Sequence, residues 1–246
     1  MYHGRVICVG HSHMNCLLEA AIEAGVPFTA ITLKGAGDGA DVWTGGGASL
    51  ISDHGFPDFT DESKAVLTGR SEPVLSFIGG IKHVRLGLQQ MDDPSERAFD
   101  FVLPEAPHLP LDAGTETIPF EGVREVVRRA FKRRMRLIAR VAALAPGRVI
   151  QFGPPPPVSD RWLEPFLRKQ NVAATTLPNR LLRWKLWRVT VALLEQHARE
   201  CGARFVDCPP DALDADGFMR DELVRNVTHG NVSFGRLLLA QAQSQS

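Results

Sequence analysis

Short apolar runs, each closed by glycine or proline and followed by a segment of helical period, recur along this chain. That alternation limits the folds open to it more than any other feature. Val6 to Val9 ends in Gly10-His11-Ser12-His13, after which Leu17, Leu18, Ala21 and Ala24 recur at helical spacing. Phe28 to Leu33 is β-branched and alternating, which predicts a second strand after the Gly25-Val26-Pro27 break. Gly35 to Gly47 is too rich in glycine for regular structure and reads as a loop. Pro73 to Ile78, Arg148 to Phe152 and Arg204 to Asp207 complete a set of about five strands. Phe120 to Leu144 carries an apolar stripe of Val123, Val127, Phe131, Ile138 and Val141, stopped by Pro146-Gly147. Leu181 to Cys201 and Val232 to Ala242 predict two further helices. Strands that alternate with helices pair in parallel and carry helices on both faces, the α/β layer arrangement. No repeat or linker interrupts the pattern, so residues 1–246 read as a single domain. Residues 91–118, punctuated by Pro94, Pro104, Pro107 and Pro110, read as an irregular surface excursion.

Composition narrows the function classes. Hydrophobic residues make up 44% and charged residues 23% of the chain, as in an ordinary globular protein. Lys and Arg number 28 against 28 Asp and Glu. That balance argues against a nucleic-acid or membrane-surface binder, which draws its affinity from excess basic charge. No apolar stretch reaches the roughly 20 residues of a membrane span. The first residues also lack the apolar core of a secretory leader, so a cytoplasmic location is the expectation. Cys8, Cys16, Cys201 and Cys208 form no C-x-x-C pair and read as reduced core thiols. Basic residues recur every four positions at Arg124, Arg128, Lys132, Arg136 and Arg140, with Arg129, Arg133 and Arg134 widening the stripe. The 124–140 helix thus presents either a solvated face or a seat for one anionic partner.

In an open α/β sheet, ligands bind at the carboxyl ends of the strands. The segments that fall there are Gly10-His11-Ser12-His13, the glycine loop, Gly79-Gly80-Ile81-Lys82-His83 and the Pro154 to Pro157 run. Asn226-Val227-Thr228-His229 stands just before the last helix. A hydroxyl on a strand-to-helix turn has its own N–H at a helix start, so Ser12 can supply both a nucleophile and an oxyanion donor. Taken alone, Ser12 also suits a helix N-cap, His229 a cap of the last helix, and Gly79-Gly80 a turn with positive φ.

The order of these segments resembles the SGNH or GDSL-type esterases and acetylhydrolases. The resemblance covers nearly the whole chain through short blocks. It implies a flavodoxin-like three-layer α/β/α sandwich and a serine hydrolase of small ester or O-acetyl groups, acting on a small-molecule or glycan ester without a cofactor. In the implied assignment Ser12 is the nucleophile, His229 its base, and Asn226 stands where the family has Asp. His11 replaces the family Asp of the first block. Gly45, Gly46 or Gly47 would give the second-block oxyanion donor and Gly80 the third, with Ile81 where the family has Asn. His83 or Asn15 would add a donor in its place. Asp214, Asp216, Asp221 or Glu222 would be candidates for the missing acid.

The replacements at Ile81 and Asn226 keep a second class open, a degenerate relative that binds a sugar or acylated ligand without turning it over. His11-x-His13 also suits a metal-dependent hydrolase, although that needs further ligands at later strand ends. The Gly35-Ala36-Gly37-Asp38-Gly39-Ala40 match to a dinucleotide fingerprint follows the second strand rather than the first, so no cofactor is expected.

Overall fold

The structure, a computed structural model, describes residues 5–33, 49–53, 59–80, 99–169 and 179–244. Its elements in chain order are β1 (Val6–Gly10), α1 (Asn15–Glu23), β2 (Phe28–Leu33), β3 (Ser49–Asp53), α2 (Asp61–Gly69) and β4 (Val74–Phe77). There follow β5 (Phe99–Asp100), β6 (Glu116–Thr117), α3 (Phe120–Leu144), β7 (Val149–Phe152), α4 (Asp160–Lys169) and α5 (Arg180–Glu200). The chain closes with β8 (Arg204–Val206), β9 (Val224–Asn226), β10 (His229–Gly230) and α6 (Val232–Ser244).

Six of these strands form one sheet in the order β3-β2-β1-β4-β7-β8. Every pairing in it is parallel. The five strands expected from the sequence are all present in flavodoxin-like order, and β3 extends the sheet at its β2 edge. Along β1 the side chains alternate between two cores, Val6 and Cys8 on one face, Ile7 and Val9 on the other. The first core is closed by α1, α4 and α6, the second by α2, α3 and α5, so the sandwich has three layers. No helix among the described residues is long and apolar enough to cross a membrane.

Strand order reverses between β1 and β4, since β2 and β3 lie on one side of that pair and β7 and β8 on the other. A crevice opens at such a reversal, at the carboxyl ends of the two strands. Gly10 lies opposite Phe77 there, with Ser12 two residues beyond the first and Gly80 three beyond the second.

The part of the excursion that the structure describes, residues 99–118, is more firmly tied down than a surface loop. β5 and β6 pair in parallel. Asp100 accepts the Phe101 and Asp112 backbone N–H groups and meets the Lys185 ammonium at 3.0 Å, with both side chains buried. Lys185 also donates to the Pro110 carbonyl, and Phe101 and Leu103 sit in the core.

Candidate functional site

β1 delivers Ser12 to the rim of the sheet. It starts a 3-10 turn, Ser12–Met14, that leads into α1. The Met14 N–H closes this turn on the His11 carbonyl and the Asn15 N–H on the Ser12 carbonyl, leaving the Ser12 N–H without a partner inside it. The hydroxyl caps no helix. Ser12 Oγ lies 2.8 Å from His229 Nε2 instead. Nor does His229 cap α6, because Asn231 Oδ1 accepts the Ser233 and Phe234 N–H groups.

Asn226 and Thr228 both meet the His229 ring at Nδ1. Asn226 Oδ1 accepts the backbone N–H groups of Thr228 and His229, each at 3.0 Å, which settles which amide atom faces them. That oxygen lies 3.0 Å from His229 Nδ1 and also accepts the Thr228 hydroxyl proton at 3.0 Å. Thr228 Oγ1 in turn stands 2.7 Å from Nδ1. When the hydroxyl gives its proton to Asn226 it offers Nδ1 a lone pair, the ring proton then sits on Nδ1, and Nε2 is left to accept from Ser12. This is the tautomer a general base requires.

The four acids that the sequence offers as carboxylate partners for His229 are engaged elsewhere. Asp214 and Asp216 pair with Arg180, Asp221 accepts from Ser159 and Trp162, and Glu222 pairs with Arg220. His13 stacks on His229 with ring centroids 4.7 Å apart, while His11 Nδ1 bonds the Leu33 carbonyl at 2.9 Å. The two rings of the His-x-His motif therefore point to different neighbours. No group of three or more His, Cys, Asp or Glu among the described residues is placed to hold a metal.

Of the remaining candidates, Gly80 is buried at the end of β4 with φ of +68°, a conformation that favours glycine. Asn15 opens α1, half-buried, one turn after Ser12. Gly46, Gly47 and His83 lie outside the described residues. A cleft of about 380 Å³ reaches Asn226, walled by Trp162, Pro165, Phe166 and Val227, with Arg161 and Lys169 also lining it. The residue pattern alone does not single out Thr228, and it gives His13 a different role. The Asn-x-Thr spacing before His229 is the available signal, because Asn side chains commonly bond the backbone two residues on.

The thiols stand apart from this chemistry. Burial pushes Cys8 and Cys16 up to about 12 and also raises Cys208.

No family model matches the chain, and no curated protein matches it. Two solved structures are similar to it at low identity. One is a GDSL-like lipase from Bacteroides thetaiotaomicron, 10% identical with a TM-score of 0.45, the match covering 98% of this chain and 86% of that one. The other is the periplasmic domain of the lipopolysaccharide acetyltransferase of Salmonella ser. Paratyphi A, also 10% identical with a TM-score of 0.45, covering 98% and 82% respectively.

Proposed function

We propose that this chain is a serine hydrolase of small ester or O-acetyl groups, a divergent relative of the SGNH hydrolases. The observation that carries the reading is the 2.8 Å contact between Ser12 Oγ and His229 Nε2, in which Nε2 acts as acceptor with the ring proton on Nδ1. In this mechanism Ser12 Oγ attacks the acyl carbon while its proton passes to His229 Nε2. The C–O bond to the alcohol breaks as Nε2 returns the proton to the leaving oxygen. A water then repeats the sequence on the acyl-serine, releasing the acid and restoring both side chains. Donors for the oxyanion come from the backbone N–H groups of Ser12 and Gly80. The cleft that reaches Asn226 leaves room for an organic group beside that residue.

Turnover by this site is expected to be slow. The imidazolium formed at each step faces the Asn226 carbonyl and the Thr228 hydroxyl, dipoles rather than a charge. In a serine-protease triad, replacing the acid by Asn lowers turnover by about 10⁴ and does so partly through the wrong tautomer. Here the tautomer is already right, so only the charge-stabilising part of that loss applies.

Two assays test the reading: labelling with a fluorophosphonate probe, and hydrolysis of p-nitrophenyl acetate, each beside Ser12→Ala and His229→Ala. Both signals should vanish in Ser12→Ala and fall at least a hundredfold in His229→Ala, about what a general base contributes. Signals that persist in Ser12→Ala would overturn the assignment of Ser12, and no signal across pH 6–9 would leave a ligand-binding protein without turnover.

A further inference from the structure

Arg134 is out of keeping with the rest of the basic helix. Three basic residues of the same helix pair with acids on the surface, Arg124 with Glu121, and Arg128 and Arg129 with Glu125. Arg134 instead turns inward, half-buried, and makes no ion pair or hydrogen bond among the described residues. Its Nε is fully buried and without an acceptor. Burial, with Arg133 alongside, lowers its pKa, the direction expected of a cation that lacks a counter-charge. Leaving a guanidinium donor buried and unsatisfied is costly, and a water, an ion or a ligand that accepts from it removes that cost.

The position of this guanidinium says what kind of ligand. It lies flat against Gly80, so close that a Cβ there would come within 3.0 Å of Nε and 3.1 Å of Nη2. The bare glycine, already required by its positive φ, is what lets the fork reach the end of β4. Ser12 stands past the end of β1, the neighbouring strand, roughly 4.8 Å away across the sheet. Arg134 and Ser12 thus flank the crevice where the strand order reverses, one from each strand end.

We infer that Arg134 is a substrate-recognition residue that receives a carboxylate or phosphate group carried by the ester at the crevice between β1 and β4. A planar fork suits either group, since both accept two parallel N–H bonds. The inference rests on the hydrolase reading for the word ester. The anion site itself does not depend on turnover, and it identifies the substrate as a negatively charged ester rather than a neutral one.

The test begins with binding, in the full-length Ser12→Ala protein, using succinate and inorganic phosphate as separate probes at constant ionic strength. Calorimetry and thermal shift should report saturable binding of at least one probe, and the tighter of the two names the group. Adding Arg134→Gln should weaken it about ten- to a hundredfold, the worth of a charge-assisted hydrogen bond. Arg140→Gln, on the exposed stripe, should leave it unchanged. Should Arg134→Gln fail to fold, Arg134→Lys serves, because it keeps the charge but loses the fork and should still weaken binding.

With Ser12 intact, kcat/KM for p-nitrophenyl hemisuccinate should exceed that for p-nitrophenyl butyrate, and Arg134→Gln should bring the ratio near one, mainly through KM. Binding of neither probe, equal binding with and without Arg134, or equal loss on Arg140→Gln would overturn the inference. Absent fluorophosphonate labelling of Ser12 alongside Arg134-dependent binding would instead overturn the hydrolase reading alone.

Discussion

At the scale of single residues, the arrangement around His229 shows how a histidine can be held in place by an amide and a hydroxyl. Asn226 holds its place through two backbone N–H donors, from Thr228 and His229, that would hold a carboxylate equally well. Asn226→Asp therefore leaves the turn intact and puts a negative charge beside Nδ1, where the proposed mechanism forms imidazolium during both proton transfers. The expected outcome is a rise in kcat for p-nitrophenyl acetate of roughly tenfold or more, a part of the loss known for the reverse change in a protease triad. Steady-state rates on the purified variant decide it, and a fall would mean that Asn226 does more than orient the ring. Asn226→Ala should act in the opposite direction, because it removes the acceptor shared by Thr228 and His229.

At the scale of elements, the Ser12–His229 distance depends on how α1 lies against α6. Each residue stands three positions before the first residue of its helix, Asn15 and Val232 respectively. Sliding one helix along the other would part the two side chains. The contact is held by Gly235, where a Cβ would overlap the Cys16 carbonyl and crowd the Leu17 backbone, atoms that cannot rotate away. Gly235→Ala should force the helices apart at a cost of roughly 3 kcal/mol, a fall in Tm on the order of 10 °C for a chain of this length. Because the displaced helices carry Ser12 and His229, fluorophosphonate labelling should drop at temperatures where the variant is still folded by circular dichroism. Labelling as fast as wild type in the folded variant would show that the loops, not the helix pair, set that distance. Neither helix's sequence announces this contact, since Gly235 reads as a weak point in a helix until the partner backbone is seen.

At the scale of the whole molecule, the parts legible in the sequence are those whose pattern is local. Four of the five anticipated strands, β1, β2, β4 and β7, are buried throughout, while β8 at the sheet edge buries only Val206, and apolar runs between glycine and proline breaks are enough to find all five. β3 escapes because Ser49–Asp53 is short and half polar at a sheet edge, and α4 because Pro165 interrupts it just after a proline run. The positions of Ser12 and His229 at element ends are readable, whereas the Thr228 bridge and the inward turn of Arg134 arise from packing between distant segments. The thiols extend the same contrast to a bulk property. Cys8 on β1 and Cys16 on α1 share one core, and burial raises both from 9.0 to about 12. A raised folded pKa means that the native state keeps its proton after the unfolded chain has lost it, so the stability this contributes is complete below pH 9 and is lost as pH climbs toward 12. Over that window each thiol should multiply the unfolding constant by up to about tenfold per pH unit. Urea midpoints measured from about pH 8 to 11 should therefore hold steady and then fall, and the fall should be shallower in Cys8→Ala than in wild type. An equal slope in both proteins would place the alkaline loss in other groups.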